Sequence, residues 1–299
     1  MTYGIIDIGS NTIRLNIYKI EGRKFELLMS KKESAGLVQY VKKGQMTKEG
    51  IEVLAECLER FKELMKLLHI DGFSSFATAS LRNIDNSQTV IDIIKQRCNI
   101  EIDLLSGEEE GIISFHGALH GLRYDHGIYI DSGGGSSEIL SYDQSKVFFS
   151  KSLPVGSLNL FNKYVKNIFP DVQEVKLIRE RIEKELEKTV DSKKCRCDVI
   201  SVTGGSMRAV RTLLVKMNYI DESTFEIKSS MLSDLVKKLM EDPEKTVHLF
   251  LKVKPDRVHT LMPGLLIIET IAKYTKSKKV QVSMYGIREG YLLDKIIGG

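Results

Sequence analysis

The chain opens with Gly4-Ile5-Ile6-Asp7-Ile8-Gly9-Ser10-Asn11-Thr12, and its second half repeats that arrangement as Gly127-Ile128-Tyr129-Ile130-Asp131-Ser132-Gly133-Gly134-Gly135-Ser136. In each copy a run of apolar residues leads to an aspartate and then to a turn of glycine and small polar residues. Asp7 of the first copy matches Asp131 of the second. Because apolar residues also follow both turns, each copy predicts a β-hairpin whose first strand is buried.

A glycine-rich hairpin turn is a candidate phosphate-binding loop. Its backbone N–H groups point outward and form a concavity suited to phosphate oxygens. Phosphate would repel the aspartate, so we expect the aspartate to hold Mg²⁺ or a water molecule in between. For either copy alone, the alternative is that Asp-x-Gly after a strand is simply a good turn sequence. The repetition favours two phosphate-binding loops that face each other and bind a polyanion from both sides.

Length and composition limit the class of protein. A chain of 299 residues predicts two domains, and 42% hydrophobic with 28% charged residues is typical of a globular protein. A net charge of +4 is too weak to indicate nucleic acid as a partner. The amino terminus lacks the features of a signal peptide, and the apolar stretch from Leu261 to Ala272 is too short to span a bilayer. We therefore expect a cytoplasmic protein with no nucleic-acid or membrane partner.

Hydrophobic periodicity predicts alternating helices and strands in both halves of the chain. After the first hairpin we expect helices at 48–70, 87–98 and 108–119, and strands at 73–77 and 100–105. After the second hairpin we expect helices at 156–168, 171–190, 206–216, 229–241, 263–275 and 287–297, and strands at 198–203 and 279–283. The glycine-flanked segment 121–127 separates the halves. The prediction is an α/β protein of two domains, 1–123 and 124–299, with a cleft between them.

The acidic segment Ser106-Gly107-Glu108-Glu109-Glu110 opens a predicted helix. Ser106 and Glu109 fit a capping box, which gives Glu109 a structural role. Glu108 and Glu110 lie about 200° apart around the helix, so they cannot share a face. Acidic residues also suit a first turn because they complement the helix dipole. The position of this segment between the two predicted phosphate loops favours a catalytic carboxylate here. Nearby substrate anions would raise the pKa of that carboxylate, which would then take a proton from an attacking water.

Three further features are candidate site residues. Glu138, on the strand that leaves the second turn, is placed to join Asp131 in holding Mg²⁺, with an ordinary surface glutamate as the alternative. Arg82 follows a predicted strand, and like Arg14 it offers forked donors to phosphate. Thr203-Gly204-Gly205-Ser206 predicts another strand, glycine turn and helix, with N–H groups exposed at the helix N-terminus.

Five ordered motifs together resemble those of the exopolyphosphatase and guanosine pentaphosphate phosphatase family. They are Asp7-Ile8-Gly9-Ser10-Asn11-Thr12, Ala77-Thr78-Ala79-Ser80-Leu81-Arg82, Ser106-Gly107-Glu108-Glu109-Glu110, Ile130-Asp131-Ser132-Gly133-Gly134-Gly135-Ser136-Ser137-Glu138 and Thr203-Gly204-Gly205-Ser206. Later echoes at 262–264 and 285–290 extend the resemblance over nearly the whole chain. The departures are mild: Ser132 replaces a usual apolar residue, and Ser137 a usual threonine.

The resemblance implies the actin-like ATPase-domain fold, in which two ribonuclease-H-like domains, here 1–123 and 124–299, surround a cleft. It also implies Mg²⁺-dependent removal of a terminal phosphate, with Glu110 as the catalytic residue. Asp131 and Glu138 correspond to acidic residues linked with metal and catalysis, and with Asp7 they are our expected metal ligands. The expected phosphate-binding residues are Gly9, Ser10, Asn11, Arg82, Gly133, Gly134, Gly135, Ser136, Gly204, Gly205 and Ser206.

The function predicted at this point is an exopolyphosphatase, a phosphoric anhydride hydrolase acting on inorganic polyphosphate. Guanosine pentaphosphate is the alternative substrate. A kinase of the same fold and a non-catalytic sensor of polyphosphate or alarmones are the alternatives from other classes. We also expect a homodimer.

Overall fold

The structure, a computed structural model, describes residues 1–144, 146–191 and 195–298. The chain forms two compact units, one comprising Met1–Glu110 with the segment that begins at Tyr291, and the other Gly111–Gly290. Each unit has a β-sheet and a hydrophobic core of its own. This division falls inside a helix, whereas the sequence predicted a division between 123 and 124; that domain boundary stays a prediction.

Unit one is built on a five-stranded sheet in the order β3-β2-β1-β6-β7. The first three strands are antiparallel, and β6 and β7 continue the sheet parallel to β1. The strands of this unit, including the short β4–β5 ladder, are β1 Thr2–Ile8, β2 Ile13–Glu21, β3 Lys24–Glu33, β4 Val41–Lys42, β5 Gln45–Met46, β6 Gly72–Ala77 and β7 Ile102–Leu104. Its helices are α1 Lys48–Leu67, α2 Ala79–Arg82 and α3 Ser87–Cys98, and α4 Gly107–Ala118 begins in it.

The helices of unit one cover the sheet through apolar stripes. In α1, Leu54, Leu58 and Phe61 recur at helical spacing and are fully buried in one core with the strand residues Ile6 and Ile8. Burying a side chain of this size contributes about 1.5–3 kcal/mol. The sheet and its helical cover therefore hold the end of β1, where Asp7 lies, in a fixed position.

Unit two is built on a six-stranded sheet in the order β10-β9-β8-β11-β13-β12. Its strands are β8 His126–Ser132, β9 Ser137–Asp143, β10 Lys146–Leu153, β11 Val199–Thr203, β12 Glu226–Lys228 and β13 Lys279–Val282. The helices after α4 are α5 Ser157–Tyr164, α6 Val172–Thr189, α7 Gly205–Lys216, α8 Ser229–Glu241, α9 Pro243–Val253, α10 Leu261–Tyr274 and α11 Ile287–Tyr291, and the chain continues as a π-helical turn at Leu292–Ile297.

The two sheets repeat one topology. In each, an antiparallel meander of three strands is extended by two parallel strands on the side of its first strand. The second sheet has one more strand, β12, which pairs antiparallel with β13 at the edge. The duplicated arrangement confirms the predicted α/β fold of two ribonuclease-H-like units. No helix in the described ranges is long and apolar enough to cross a membrane.

The sequence prediction lacked strands β3, β4, β5, β10 and β12 and helices α2 and α9. The third strand of each meander, β3 and β10, lies at a sheet edge, and in β3 most residues are at least partly exposed, so the strand carries no apolar alternation. Helix α9 buries only Thr246 and Phe250. Its start is set by Asp242, whose side chain accepts a hydrogen bond from the Lys245 amide, with Pro243 at the first helical position.

Candidate active site

The two hairpin turns have the same geometry. The Gly9 amide donates to the Thr12 carbonyl at 3.1 Å, and the Gly133 amide donates to the Ser136 carbonyl at 3.0 Å. These are equivalent positions of the repeated sequence, so the predicted pair of glycine hairpins is confirmed as structure.

In each unit, carbonyl groups of the hairpin turn accept hydrogen bonds from a helical segment that follows the three-stranded meander. The Val38 amide donates to the Ser10 carbonyl at 3.1 Å, and the Leu158 amide donates to the Gly134 carbonyl at 3.0 Å. Within the described ranges, the amides of four turn residues have no hydrogen-bond acceptor: Ser10, Asn11, Gly134 and Gly135. A turn whose carbonyls are satisfied while its N–H groups are available has the electrostatics of an anion site.

The charged residues opposite the two aspartates differ between the hairpins. Across the first, Asp7 pairs in register with Arg14, while across the second Asp131 pairs with Glu138. Opposite charges across an antiparallel ladder attract and like charges repel. The first hairpin therefore places opposite charges in register, and the second places two carboxylates in register.

Hydroxyl groups hold both carboxylates of the second hairpin. Ser114 Oγ, from α4, donates to Asp131 Oδ2. Glu138 is only 2% exposed, and its Oε1 accepts hydrogen bonds from Ser136 Oγ and Ser152 Oγ, each at 2.8 Å. Both acids therefore lie in a polar, hydrogen-bonded setting that suits the ionised form.

The expected metal ligands were tested against this arrangement. In the part of the chain that the structure describes, no group of three or more histidine, cysteine or acidic side chains is arranged to hold a metal. Mg²⁺ needs fewer protein ligands, because it keeps several waters and binds through one or two carboxylates plus substrate phosphates. The facing pair Asp131 and Glu138 fits that requirement; the roles of Asp7, Asp131 and Glu138 as ligands stay predictions.

Glu110 lies in the first turn of α4 and is nearly buried, with 8% of the residue exposed. Its Oε2 accepts a hydrogen bond from Arg82 Nη1 at 2.7 Å, and the same nitrogen donates to the Leu105 carbonyl at 3.0 Å. An arginine at this distance favours the ionised carboxylate, which is the form a general base needs.

Arg82 differs from its expected setting. The loop expected at Arg82 is wrong, because Arg82 ends the short helix α2, where it is paired with Glu110. Its role in phosphate binding stays a prediction. Ser80 of the same helix donates to the Ile8 carbonyl at 2.5 Å, which ties α2 to the end of β1. The sequence did not indicate this pairing because the partners are joined only by tertiary contacts.

The predicted capping box at the start of α4 is confirmed. The Ser106 amide donates to Glu109 Oε2 at 2.9 Å, and the Glu109 amide donates to Ser106 Oγ at 3.2 Å. The hydrogen bonds from Ser106 lower the pKa of Glu109. Of the three successive glutamates, Glu109 therefore has the structural role and Glu110 the buried position.

The third glycine turn lies against the second hairpin. A Cβ at Gly204, whose φ is +117°, would come within 2.3 Å of the Ser132 carbonyl oxygen, so this position requires glycine. The side chain of Ser206 is 1% exposed and packs against Gly264 of α10, which leaves only its backbone for the expected phosphate contact.

Two arginines at this turn were not singled out from the sequence. The guanidinium of Arg257 lies against Gly205, where a Cβ would meet its Nη2 at 2.1 Å. Arg208, one turn into α7, donates from Nη1 to the Met284 carbonyl at 3.3 Å. Burial lowers the pKa of both arginines, and Asp131 partly offsets this for Arg208. The only signal for Arg208 was its place three residues after a double glycine; Arg257 precedes α10 with no motif to mark it.

Comparisons with known proteins show the family of the chain. The model of the Ppx/GppA phosphatase family matches residues 16–297. Exopolyphosphatase 1 of Mycobacterium tuberculosis is 22% identical over 99% of this chain and 88% of that protein. A bifunctional 3-dehydroquinate synthase/phosphatase of Fusobacterium nucleatum is 25% identical over 97% of this chain and 46% of that protein.

Solved structures share the fold. The crystal structure of the Ppx/GppA family member of Aquifex aeolicus matches with a TM-score of 0.81 and 24% identity, covering 100% of this chain and 98% of that one. An exopolyphosphatase from Cytophaga hutchinsonii matches with a TM-score of 0.85 and 20% identity, covering 98% of both chains. At these identities the likeness is one of fold.

Proposed function

Because this chain belongs to the Ppx/GppA phosphatase family and is a phosphoric anhydride hydrolase, we propose that it acts as an exopolyphosphatase, removing the terminal phosphate of inorganic polyphosphate. The observation that carries the proposal is the nearly buried Glu110, whose carboxylate accepts a hydrogen bond from Arg82. A carboxylate held in this way can accept a proton from water and so activate it for attack. Water activation distinguishes a hydrolase from a binding protein of the same fold.

In the proposed reaction, Glu110 accepts a proton from a water molecule as the water oxygen attacks the terminal phosphorus. The bond from that phosphorus to its bridging oxygen breaks, and inorganic phosphate and a polymer shorter by one phosphate are released. Amide groups of the glycine turns neutralise charge on the phosphoryl oxygens. Most of the rate gain would come from positioning and charge neutralisation, because the transferring group needs little covalent help.

We propose Asp131 and Glu138 as the residues that hold a divalent cation, with Mg²⁺ as the expected ion. When bound, the cation would neutralise charge on the phosphate oxygens. The two carboxylates face each other in register and are already hydrogen-bonded, which supports this assignment. Arg208 and Arg257, beside the third glycine turn, are proposed to interact with further phosphates of the chain.

The test is phosphate release from long polyphosphate, guanosine pentaphosphate and ATP, measured side by side. We expect release from polyphosphate in the presence of Mg²⁺, and we expect Glu110→Gln to lower the rate about 10²- to 10⁴-fold. Glu108→Gln is the matched control, because Glu108 is an exposed acid on the same turn and should leave the rate unchanged.

The outcomes separate the alternatives. Equal rates for the wild type and Glu110→Gln would remove Glu110 from its role. Faster release from guanosine pentaphosphate would assign that substrate instead, and ADP formation dependent on an acceptor molecule would indicate a kinase. Tight polyphosphate binding without turnover would indicate a sensor. The homodimer stays a prediction, which light scattering would test.

A further inference from the structure

The second hairpin carries an electrostatic cost that the first does not. Asp131 and Glu138 occupy directly opposite positions of an antiparallel pair, where like charges destabilise the ladder. At the equivalent place in the first hairpin, Arg14 faces Asp7. Something must hold the two carboxylates of unit two in place despite their repulsion.

Asp131 is held by a chain of buried hydroxyl groups. Ser114 is 0% exposed, and its Oγ donates to Asp131 Oδ2. Tyr129 is also 0% exposed, and its hydroxyl lies 2.8 Å from Ser114 Oγ and donates to the Ser114 carbonyl at 3.1 Å. Ser114 gives its one hydroxyl proton to Asp131, so Tyr129 must share its own single proton between Ser114 Oγ and the Ser114 carbonyl.

Glu138 is held from the neighbouring strand. Ser152 of β10 is its register partner, and Ser152 Oγ donates to Glu138 Oε1 at 2.8 Å. The two acids are therefore restrained from different elements, Asp131 by helix α4 and Glu138 by strand β10 together with Ser136 of its own turn. In each case a hydroxyl donates to one carboxylate oxygen and restrains the position of that oxygen.

We propose that Ser114 and Ser152 are positioning residues that set the orientation of Asp131 and Glu138 for a divalent cation; this inference rests on the function proposed above. Neither serine needs to touch the cation or the substrate. Partners of this kind orient ligands before binding, and their loss weakens metal affinity about 10- to 100-fold. A serine with only a packing role would lower stability without changing affinity for the ion.

The experiment uses Mn²⁺ as the probe, titrated into the full chain without substrate and followed by calorimetry or electron paramagnetic resonance. We expect Ser114→Ala and Ser152→Ala each to raise the Kd for Mn²⁺ about 10-fold or more, and Asp131→Asn to raise it further. In the Asp131→Asn background, Ser114→Ala should have no additional effect, because the hydroxyl then has no carboxylate to orient.

Ser201→Ala is the matched control. Ser201 is likewise 0% exposed in unit two, and its Oγ lies 3.4 Å from the Tyr142 hydroxyl rather than near a carboxylate. An unchanged Kd in Ser201→Ala with a raised Kd in Ser114→Ala supports the proposal. If Ser114→Ala does not fold, Ser152→Ala tests the proposal in its place, because Ser152 is only half-buried and lies on the edge strand β10.

Wild-type affinity in both serine variants would overturn the proposal, as would a wild-type chain that does not bind Mn²⁺. The proposed function is judged separately by phosphate release. A protein that binds Mn²⁺ in a serine-dependent way but releases no phosphate would support the positioning role and reject the exopolyphosphatase.

Discussion

Three successive glutamates at the start of α4 show how far neighbouring residues of one type can differ. Glu108 is exposed, Glu109 closes the capping box with Ser106, and Glu110 is nearly buried against Arg82. The helical rotation of about 100° per residue sends them in different directions. A single turn therefore caps the helix through one carboxylate and buries the next one against an arginine.

Ser106→Ala should lower the free energy of unfolding by about 0.5–2 kcal/mol, because the variant loses the hydrogen bond to the Glu109 amide. Thermal or denaturant unfolding measures this change. The pKa of Glu109 is lower in the folded protein than in the unfolded chain. The charged carboxylate therefore stabilises the folded protein at pH values above the ordinary pKa, and this stabilisation is lost as pH falls through the lowered pKa. The stability of the Glu109→Gln variant should accordingly vary less with pH in the acid range than that of the wild type. An equal variation with pH in both proteins would contradict the role of the Glu109 charge.

At the scale of elements, helix α10 is the buried centre of unit two, and it contains an acid. Glu269 is 1% exposed, yet it accepts hydrogen bonds from Arg179 of α6, Ser233 of α8 and Lys273 of α10 itself. Burial alone would raise its pKa, but the hydrogen bonds and positive charges of Lys273 and Arg179 lower it overall. One carboxylate thus joins three helices that cover the sheet carrying the second hairpin.

Glu269→Gln should destabilise the protein by about 2–4 kcal/mol. This is somewhat below the cost of breaking a fully buried ion pair, because Arg179 and Lys273 reach solvent. Folding lowers the pKa of Glu269 below its ordinary value of 4.5. The charged carboxylate therefore stabilises the protein above pH 4.5, and this stabilisation disappears as pH falls through the lowered pKa. Urea unfolding at pH 7 and pH 3 should show a smaller difference between wild type and variant at the lower pH. Glu180→Gln, in an exposed pair with Lys176, is the control and should change little.

At the scale of the whole molecule, the chain leaves unit one at Glu110 and returns to it at Tyr291. The Tyr291 ring stacks on Phe76 of β6 with centroids 4.8 Å apart, and its hydroxyl donates to Asp103 of β7 at 3.1 Å. Tyr291 therefore packs against the sheet of unit one, far along the chain from the strands it contacts.

Tyr291→Ala should destabilise unit one by about 3–5 kcal/mol, because it removes a ring that is 6% exposed and leaves a cavity. Calorimetry should show a transition at lower temperature. Tyr219→Ala, which removes a half-exposed ring from unit two, should leave the transitions nearly unchanged. Equal stability of both variants would mean that the returning segment contributes nothing to unit one.

Much of the fold could be read from the sequence, since the repeated hairpin, the amphipathic helices and the capping box are local patterns. Edge strands β3 and β10 were missed because exposure at a sheet edge removes apolar alternation, and α9 because it buries few residues. In the site, Glu110 and the facing acids followed from motifs, whereas Arg208 and Arg257 did not, because tertiary contacts alone bring Arg257 to the glycine turn.

The amino-acid sequence by itself determined the two glycine hairpins, their aspartates and the order of α/β elements, because backbone conformation and burial patterns act over a few neighbouring residues. Only the tertiary structure decided that Arg82 pairs with Glu110, that Ser114 and Ser152 hold the two facing acids, and that Tyr291 belongs with the first sheet. Those contacts join residues distant in the chain, and their energies depend on distance and burial that no local pattern encodes.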